Sequence, residues 1–430
     1  MAVIKRINLQ QLKVGMYVTQ VDADLAAAMN VRAEGLITRQ DTIELFRQHG
    51  MTECYIDTRI GEGGAQGDTQ EVMDAGQSLR ASPSNDGATA IDTLPDDAST
   101  QELARQPLRL PFCDENFPRP QLTFDAERSN ALAVRNQALT VVSDVIRDVK
   151  MGAKINLRAI DTAIVDITES LINNQNVILS MATMRKKDEY LLEHSMNVAV
   201  LMGVLARSLG YRGEELHELV LGAFVHDVGK IRVPDSILHN PGKLNAEEWE
   251  EMKRHVDYGV EILSGMPRFS PLSMKVCAEH HEHLDGRGYP FGLSASEISP
   301  AGRMGAVVDV YDAITSDRVY HKGLEPNTAL KKMLEWSGDH LDRDLVYQLI
   351  RCVGVYPAGS MVRLSSGYLA VVMEVSPVFP EKPRVKLIYD NNHQRVVTER
   401  IVDLALTDRY GVIKSAAAPS HFGLNVRDYL

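Results

Sequence analysis

The run Leu219-Val-Leu-Gly-Ala-Phe-Val-His-Asp-Val-Gly-Lys-Ile231 constrains the fold of this chain more than any other stretch. Its pattern is that of an apolar core helix, yet it sets an imidazole and a carboxylate side by side, His226 and Asp227. Burying an unpaired carboxylate in such surroundings is costly, and a nearby cation relieves that cost. Asp309 poses the same problem in Met304-Gly-Ala-Val-Val-Asp-Val-Tyr-Asp312, where valines flank it on both sides and direct it into a core.

Imidazoles cluster in the same region. Eight of the 13 histidines fall between His194 and His283. His194 and His255 sit in further amphipathic helices, and His280-His281 closes another. Imidazole and carboxylate side chains on five helical segments are expected to converge at the centre of a bundle, as metal sites in helical bundles do. Mixed nitrogen and oxygen donors suit iron, manganese, zinc, cobalt or nickel better than calcium or magnesium. Two divalent metal ions bridged by Asp227, sharing a water or hydroxide, would activate a nucleophile and clamp phosphoryl oxygens for in-line displacement. Lys230 is placed to reach the phosphate so bound and to stabilise the transition-state charge.

Other residues carry blander readings. A lone buried histidine is more often a hydrogen-bonded core residue than a ligand, which is the reading for His217, His239 and His340. His283 reads as an exposed loop residue beside the site. Gly286, Gly288 and Pro290 stand at even odds between turn chemistry and a specific role. Arg318 and Lys322 read either as surface cations or as phosphate contacts, and charge alone favours the surface.

The rest of the chain supplies context. Strand-like stretches at Gly15–Thr19 and Glu53–Asp57 flank a helical pattern at Arg39–Gln48, which predicts a small α/β module over residues 1–60. Residues 61–122 are rich in Gly, Ser, Asp and Pro, as a flexible linker is. Helical periodicity over 123–355 predicts an all-α domain, and alternation from Met361 to Ile401 predicts a small β-rich C-terminal unit over 356–430. The fold class expected is therefore multi-domain, with a central all-α helical bundle. Its 46 basic and 58 acidic residues give a net charge of −12, which disfavours tracking bulk nucleic acid. Four scattered cysteines, no signal-like N-terminal run and no apolar stretch of membrane-spanning length point to a cytoplasmic protein.

The residues resemble the HD-GYP family, a branch of the HD superfamily of metal-dependent phosphohydrolases. The resemblance covers roughly residues 185–355. It rests on Asp188-Glu-Tyr-Leu-Leu-Glu-His194-Ser, His226-Asp-Val-Gly-Lys230-Ile-Arg-Val-Pro234, His255, His280-His-Glu-His-Leu-Asp285-Gly-Arg-Gly288-Tyr289-Pro290 and the run Arg303–Tyr320. Residues from about Ile7 to Thr58 look like the small domain of unknown function often fused to this family.

The resemblance implies hydrolysis of the bacterial second messenger cyclic di-GMP to linear pGpG and on to GMP. It implies that His194, His226, Asp227 and Asp309 hold one metal, and Asp227, His255, His280 and His281 the other, with iron or manganese favoured. It implies phosphate contacts from Lys230 and Arg318, and Lys322, a cation after the same Asp309 helix, is expected to join them in binding substrate. It places Gly288-Tyr289-Pro290 in a loop of partner contacts rather than catalysis. Members with a third metal carry Glu where this chain has Tyr190, so a two-metal centre is expected. A regulatory or partner-binding role is the expectation for the N-terminal module, and a homodimer is left open. Two other readings stand beside this one: a cyclic di-GMP receptor or scaffold with little turnover, and an enzyme acting on another cyclic dinucleotide or a nucleoside monophosphate.

Overall fold

The computed structural model describes residues 4–13, 16–20, 35–36, 43, 46–47, 53–61, 120–182, 190–240, 242–316, 323–376 and 379–430. The chain forms two compact units, Met1–Asn85 and Asp86–Leu430. In the first, strands β1 (Ile4–Asn8), β2 (Met16–Gln20), β3 (Gly35–Leu36) and β4 (Glu53–Gly61) make an antiparallel sheet in the order β1-β4-β2-β3. Leu9, Leu12, Val18, Ile43 and Phe46 are buried there. Of the helical pattern read at Arg39–Gln48, only Ile43, Phe46 and Arg47 are described, and all three are helical. The linker read over 61–122 lies outside the described residues except at Gly61 and 120–122.

The second unit opens where Thr123 caps helix α1 (Phe124–Lys150), its hydroxyl accepting from the Ala126 amide. Helix α2 (Leu157–Ala182) is broken at Asn174, whose backbone is extended and whose side-chain amide donates to the Leu122 carbonyl. Helix α3 (Tyr190–Ser208) is buried from Glu193 to Arg207, on every face. A helix buried all round is a central one, and α3 packs against α1, α2 and α4 (Gly213–Val225). The Arg135 guanidinium of α1 holds the Glu193 carboxylate of α3 at 2.6 Å, both buried, and also donates to the Met181 carbonyl. His194 thereby enters the middle of the bundle.

Helices α5 (Asp235–Leu238), α6 (Ala246–Lys253), α7 (His255–Ser264), α8 (Pro271–Glu279), α9 (Pro300–Thr315), α10 (Pro326–Glu335) and α11 (Arg343–Val353) complete the bundle. Their starts follow local chemistry. Asn245 and Glu248 form a capping box at α6, while Ser270 and Ser299 cap α8 and α9 just ahead of a proline.

One expectation is corrected at the centre. The helical spacing read over Leu216–Val225 ends where the helix does, and the rest of the apolar run, Val228–Arg232, continues as a 3₁₀ turn rather than as α-helix. Gly229 in that turn lies against α7, where an added Cβ would fall on the His255 carbonyl oxygen and the Gly259 amide. Gly229→Ala is therefore expected to destabilise the bundle by about 3 kcal/mol through overpacking. Urea unfolding checks this, and an unchanged midpoint would refute it.

Strands β5 (Met361–Leu364), β6 (Tyr368–Glu374), β7 (Arg384–Asp390), β8 (Arg395–Asp403) and β9 (Ile413–Ala416) form an antiparallel sheet in the order β8-β7-β6-β5-β9. The alternation seen in the sequence is an alternation of faces. Leu369, Val371 and Met373 join the helical core, whereas Ala370 and Val372 join a separate core with Val362, Leu364, Val385 and Leu387. The chain is multi-domain: in sequence order, an N-terminal sheet in the first unit, then a helical bundle and a C-terminal sheet in the second.

Candidate metal centre

Three histidines are prepared by the same local device. His226 and His280 follow the last turns of α4 and α8, and His255 opens α7 just after α6. Each ring donates its Nδ1 proton to the carbonyl three residues earlier: His226 to Ala223 at 2.7 Å, His255 to Met252 at 2.7 Å and His280 to Cys277 at 2.8 Å. This bond fixes the tautomer that leaves an Nε2 lone pair facing inward. All three Nε2 atoms are buried without a hydrogen-bond partner, as is Asp227 Oδ1.

His194 is oriented by a different partner. Its Nδ1 donates to Asp312 Oδ2 at 2.8 Å, and its Nε2 lies 3.3 Å from Asp227 Oδ2 and 3.0 Å from Asp309 Oδ1. His226 Nε2 approaches the same two oxygens, at 3.5 and 3.7 Å. The other Asp227 oxygen, Oδ1, faces His255 Nε2 at 3.5 Å and His280 Nε2 at 3.9 Å. His281 lies 3.8 Å from Asp309 Oδ2 with 17% of its side chain exposed. Asp227 thus presents one oxygen to each of two histidine groups.

Protonation follows from burial and neighbours. Burial pushes His255 down to about 4 and His280 down to about 3, assisted by Lys230 and His226 respectively, and burial with His280 carries His281 well below its ordinary value. Burial would raise Asp227 and Asp309, but Lys230 and His226 at the first, and His194 and His226 at the second, hold both well below the carboxylate range. Burial also opposes a charge on His194, yet Tyr190 and the carboxylates of Asp227, Asp309 and Asp312 raise it well above the ordinary value. Its Nε2 stands between Asp227 Oδ2 and Asp309 Oδ1, where a cation would satisfy both carboxylates. Neutral imidazoles and ionised carboxylates with inward lone pairs are the donor state a divalent ion requires. The orphaned nitrogens and oxygen therefore fit a metal site. His194, His226 and Asp227, and separately His255, His280 and His281, have ligand atoms within 4.8 Å of one another.

Around the centre, Lys230 Nζ donates to Asp227 Oδ2 at 2.7 Å with 18% of its side chain exposed. Behind Asp227, Val142, Val145 and Ile146 of α1 line an apolar pocket with Phe224 and Val228. The Tyr289 ring stacks on His281 at 4.6 Å between centroids, beyond the partner-facing placement expected of its loop. Gly288 is pressed against the backbone of Glu282 and His283, and buried Glu282 accepts from the Phe291 and Leu293 amides, so more than turn chemistry fixes this loop.

Several lesser readings change. His239 is exposed rather than buried, His283 is half-buried with its ring 3.7 Å from that of His340, and His217 has no hydrogen bond at its buried Nε2. Arg318 and Lys322 lie outside the described residues.

Asp312 was not singled out as a site residue, although its position one turn after Asp309 puts both acids on one face of α9. Loss of its charge in Asp312→Asn should weaken metal affinity roughly 10–100-fold, as for other acids that orient a ligating histidine. Competition against a metal indicator measures this, and unchanged affinity would exclude the role.

Residues 168–345 match the family model described as an HD domain, residues 4–160 a domain of unknown function, and residues 361–421 a KOW domain associated with HD domains. A cyclic di-GMP phosphodiesterase of Pseudomonas aeruginosa is 34% identical over 403 residues, 93% of this chain and 89% of that protein. The chain belongs to the HD-GYP family of HD-domain proteins. Two further family relatives align over shorter spans. The cyclic di-GMP phosphodiesterase response regulator RpfG of Xanthomonas campestris is 40% identical over 161 residues, 37% of this chain and 42% of that protein. The 3'3'-cGAMP-specific phosphodiesterase 2 of Vibrio cholerae is 38% identical over 158 residues, 36% of this chain and 30% of that protein. HD-domain phosphohydrolases are metal-dependent. Among the described residues, no helix is long and apolar enough to cross a membrane.

Proposed function

We propose that this HD-GYP protein hydrolyses cyclic di-GMP to linear pGpG and onward to GMP. The observation that carries this reading is the Asp227 carboxylate, whose two oxygens face separate imidazole groups inside a family of phosphodiesterases. His194, His226, Asp227 and Asp309 would hold one divalent ion, and Asp227, His255, His280 and His281 the other. Iron or manganese suits these donors best, with nickel, cobalt or zinc as alternatives. When bound, such a pair supplies a nucleophile at neutral pH and neutralises the charge on the phosphoryl oxygens.

The chain's own groups do the rest. The back-bonded imidazoles keep their lone pairs aimed without reorganisation, and Asp312 holds the His194 ring in place. Lys230, kept cationic by Asp227 against its burial and partly open to solvent, binds a phosphate oxygen of the substrate. Arg318 and Lys322 are proposed as further phosphate contacts.

The proposed domain division is an N-terminal regulatory module over 1–60, a linker over 61–122, the catalytic bundle over 123–355 and a β-rich unit over 356–430. The exposed rim of the Gly288-Tyr289-Pro290 loop, where Phe291 is 60% exposed, is the proposed protein-partner contact. A cytoplasmic setting agrees with Cys277 and Cys352 being free thiols.

Product analysis of cyclic di-GMP incubated with Mn(II)- or Fe(II)-loaded protein tests the reading. Appearance of pGpG and GMP is expected. Dinucleotide left intact over hours would refute hydrolysis and favour a receptor. The Vibrio cholerae relative gives a second reading, a substrate preference for 3'3'-cGAMP, which competition between the two dinucleotides decides.

A further inference from the structure

A cyclic dinucleotide held by its phosphate must place a purine within one ribose of the metal centre, and the chain offers aromatic surface at that distance. The Tyr289 ring has one face stacked on His281, at an interplanar angle of 27°, and lies 6.3 Å from the His255 ring. Trp249 meets Tyr289 nearly at right angles, with centroids 6.2 Å apart. The two rings form a corner, and Lys253 Nζ stands 5.9 Å from the Tyr289 centroid.

Trp249 itself sits on α6, two turns before His255, and is only half-buried. An indole left partly in solvent on a short helix otherwise rich in Glu is poorly explained by core packing. Flat π-surface beside a phosphate-binding centre is what stacks a nucleobase, and such stacking tolerates any base because every base has a π-face.

We propose that Trp249, backed by Tyr289, is the purine-stacking platform of this site. The proposal rests on the reading of the substrate as a cyclic dinucleotide. Trp249 touches the base and not the reacting atoms, so it acts on substrate binding and leaves the phosphoryl chemistry to the metal centre.

Two measurements test it in the full-length, metal-loaded protein. In steady-state kinetics with cyclic di-GMP, Trp249→Ala should raise KM roughly 5–100-fold, with kcat changed less than twofold, and Trp249→Phe should restore most of the loss. The chain has two tryptophans, so Trp336→Phe leaves Trp249 as the sole indole. In that variant, loaded with zinc, GMP should quench the fluorescence saturably while ribose 5-phosphate should not.

Absence of quenching overturns the platform, as does a KM within twofold of wild type, or a fall in kcat that Trp249→Phe does not recover. Should the wild-type protein leave cyclic di-GMP intact while GMP still quenches Trp249, the hydrolytic reading fails and the platform stands. In that case the quenching arm alone decides the platform.

Discussion

Asp227→Ala yields a folded protein whose cyclic di-GMP hydrolysis is reduced by at least roughly 10³-fold in kcat. The size of the effect follows from geometry. One Asp227 oxygen lies within 3.5 Å of His194 and His226 Nε2, and the other faces His255 and His280, so a single truncation removes a donor from both groups. It also deprives Lys230 of its 2.7 Å partner. Asp227→Asn keeps one oxygen acceptor and is expected to retain one ion instead of two. Metal content by mass spectrometry, measured beside turnover, distinguishes these outcomes. Two ions bound in the alanine variant, or turnover near wild type, would refute the bridging role.

Stripping the metal with a chelator is expected to lower the thermal midpoint of the bundle by on the order of 10 °C. A ligand present at about a thousand times its Kd stabilises the folded state by about 4 kcal/mol, and each kcal/mol moves the midpoint by about 2–4 °C in a unit of this size. The physical source is specific. Without a cation, the Nε2 atoms of His226, His255 and His280 and one Asp227 oxygen are buried with nothing to accept from or bind. Calorimetry with and without chelator measures the shift, and coincident midpoints would sink the idea. The Asp227→Ala protein, already missing the shared donor, should show a smaller difference.

The convergence of these side chains is legible in the sequence where burial cost is the signal. Asp227 and Asp309 stand in apolar runs where a carboxylate has no bland explanation, and their convergence with His194, His226, His255, His280 and His281 follows from where α3, α4, α7, α8 and α9 meet. Helix extents and the strand alternation were legible for the same reason, because a face turned toward a core leaves a period in the chain. What stayed hidden depends on partners distant in sequence. The 3₁₀ turn over Val228–Arg232 answers to the close approach of α7 at Gly229, a partner that the local sequence does not show. The Arg135–Glu193 pair joins residues 58 apart, and the stacking of Tyr289 on His281 depends on the loop fold set by Glu282. His239 was misjudged because a lone histidine carries no periodic information about which way it points.

Helix α1 carries a practical warning. The match to the domain of unknown function runs to residue 160 and so takes in all of α1, yet Val142, Val145 and Ile146 of that helix wall the pocket behind Asp227. A truncation that excised the N-terminal domain at that boundary would also strip cladding from the residues around Asp227, and activity lost that way would be misassigned to the removed domain. Removal of the N-terminal domain should cut ahead of Thr123, so that the helix cap and everything it supports stay with the HD-domain bundle.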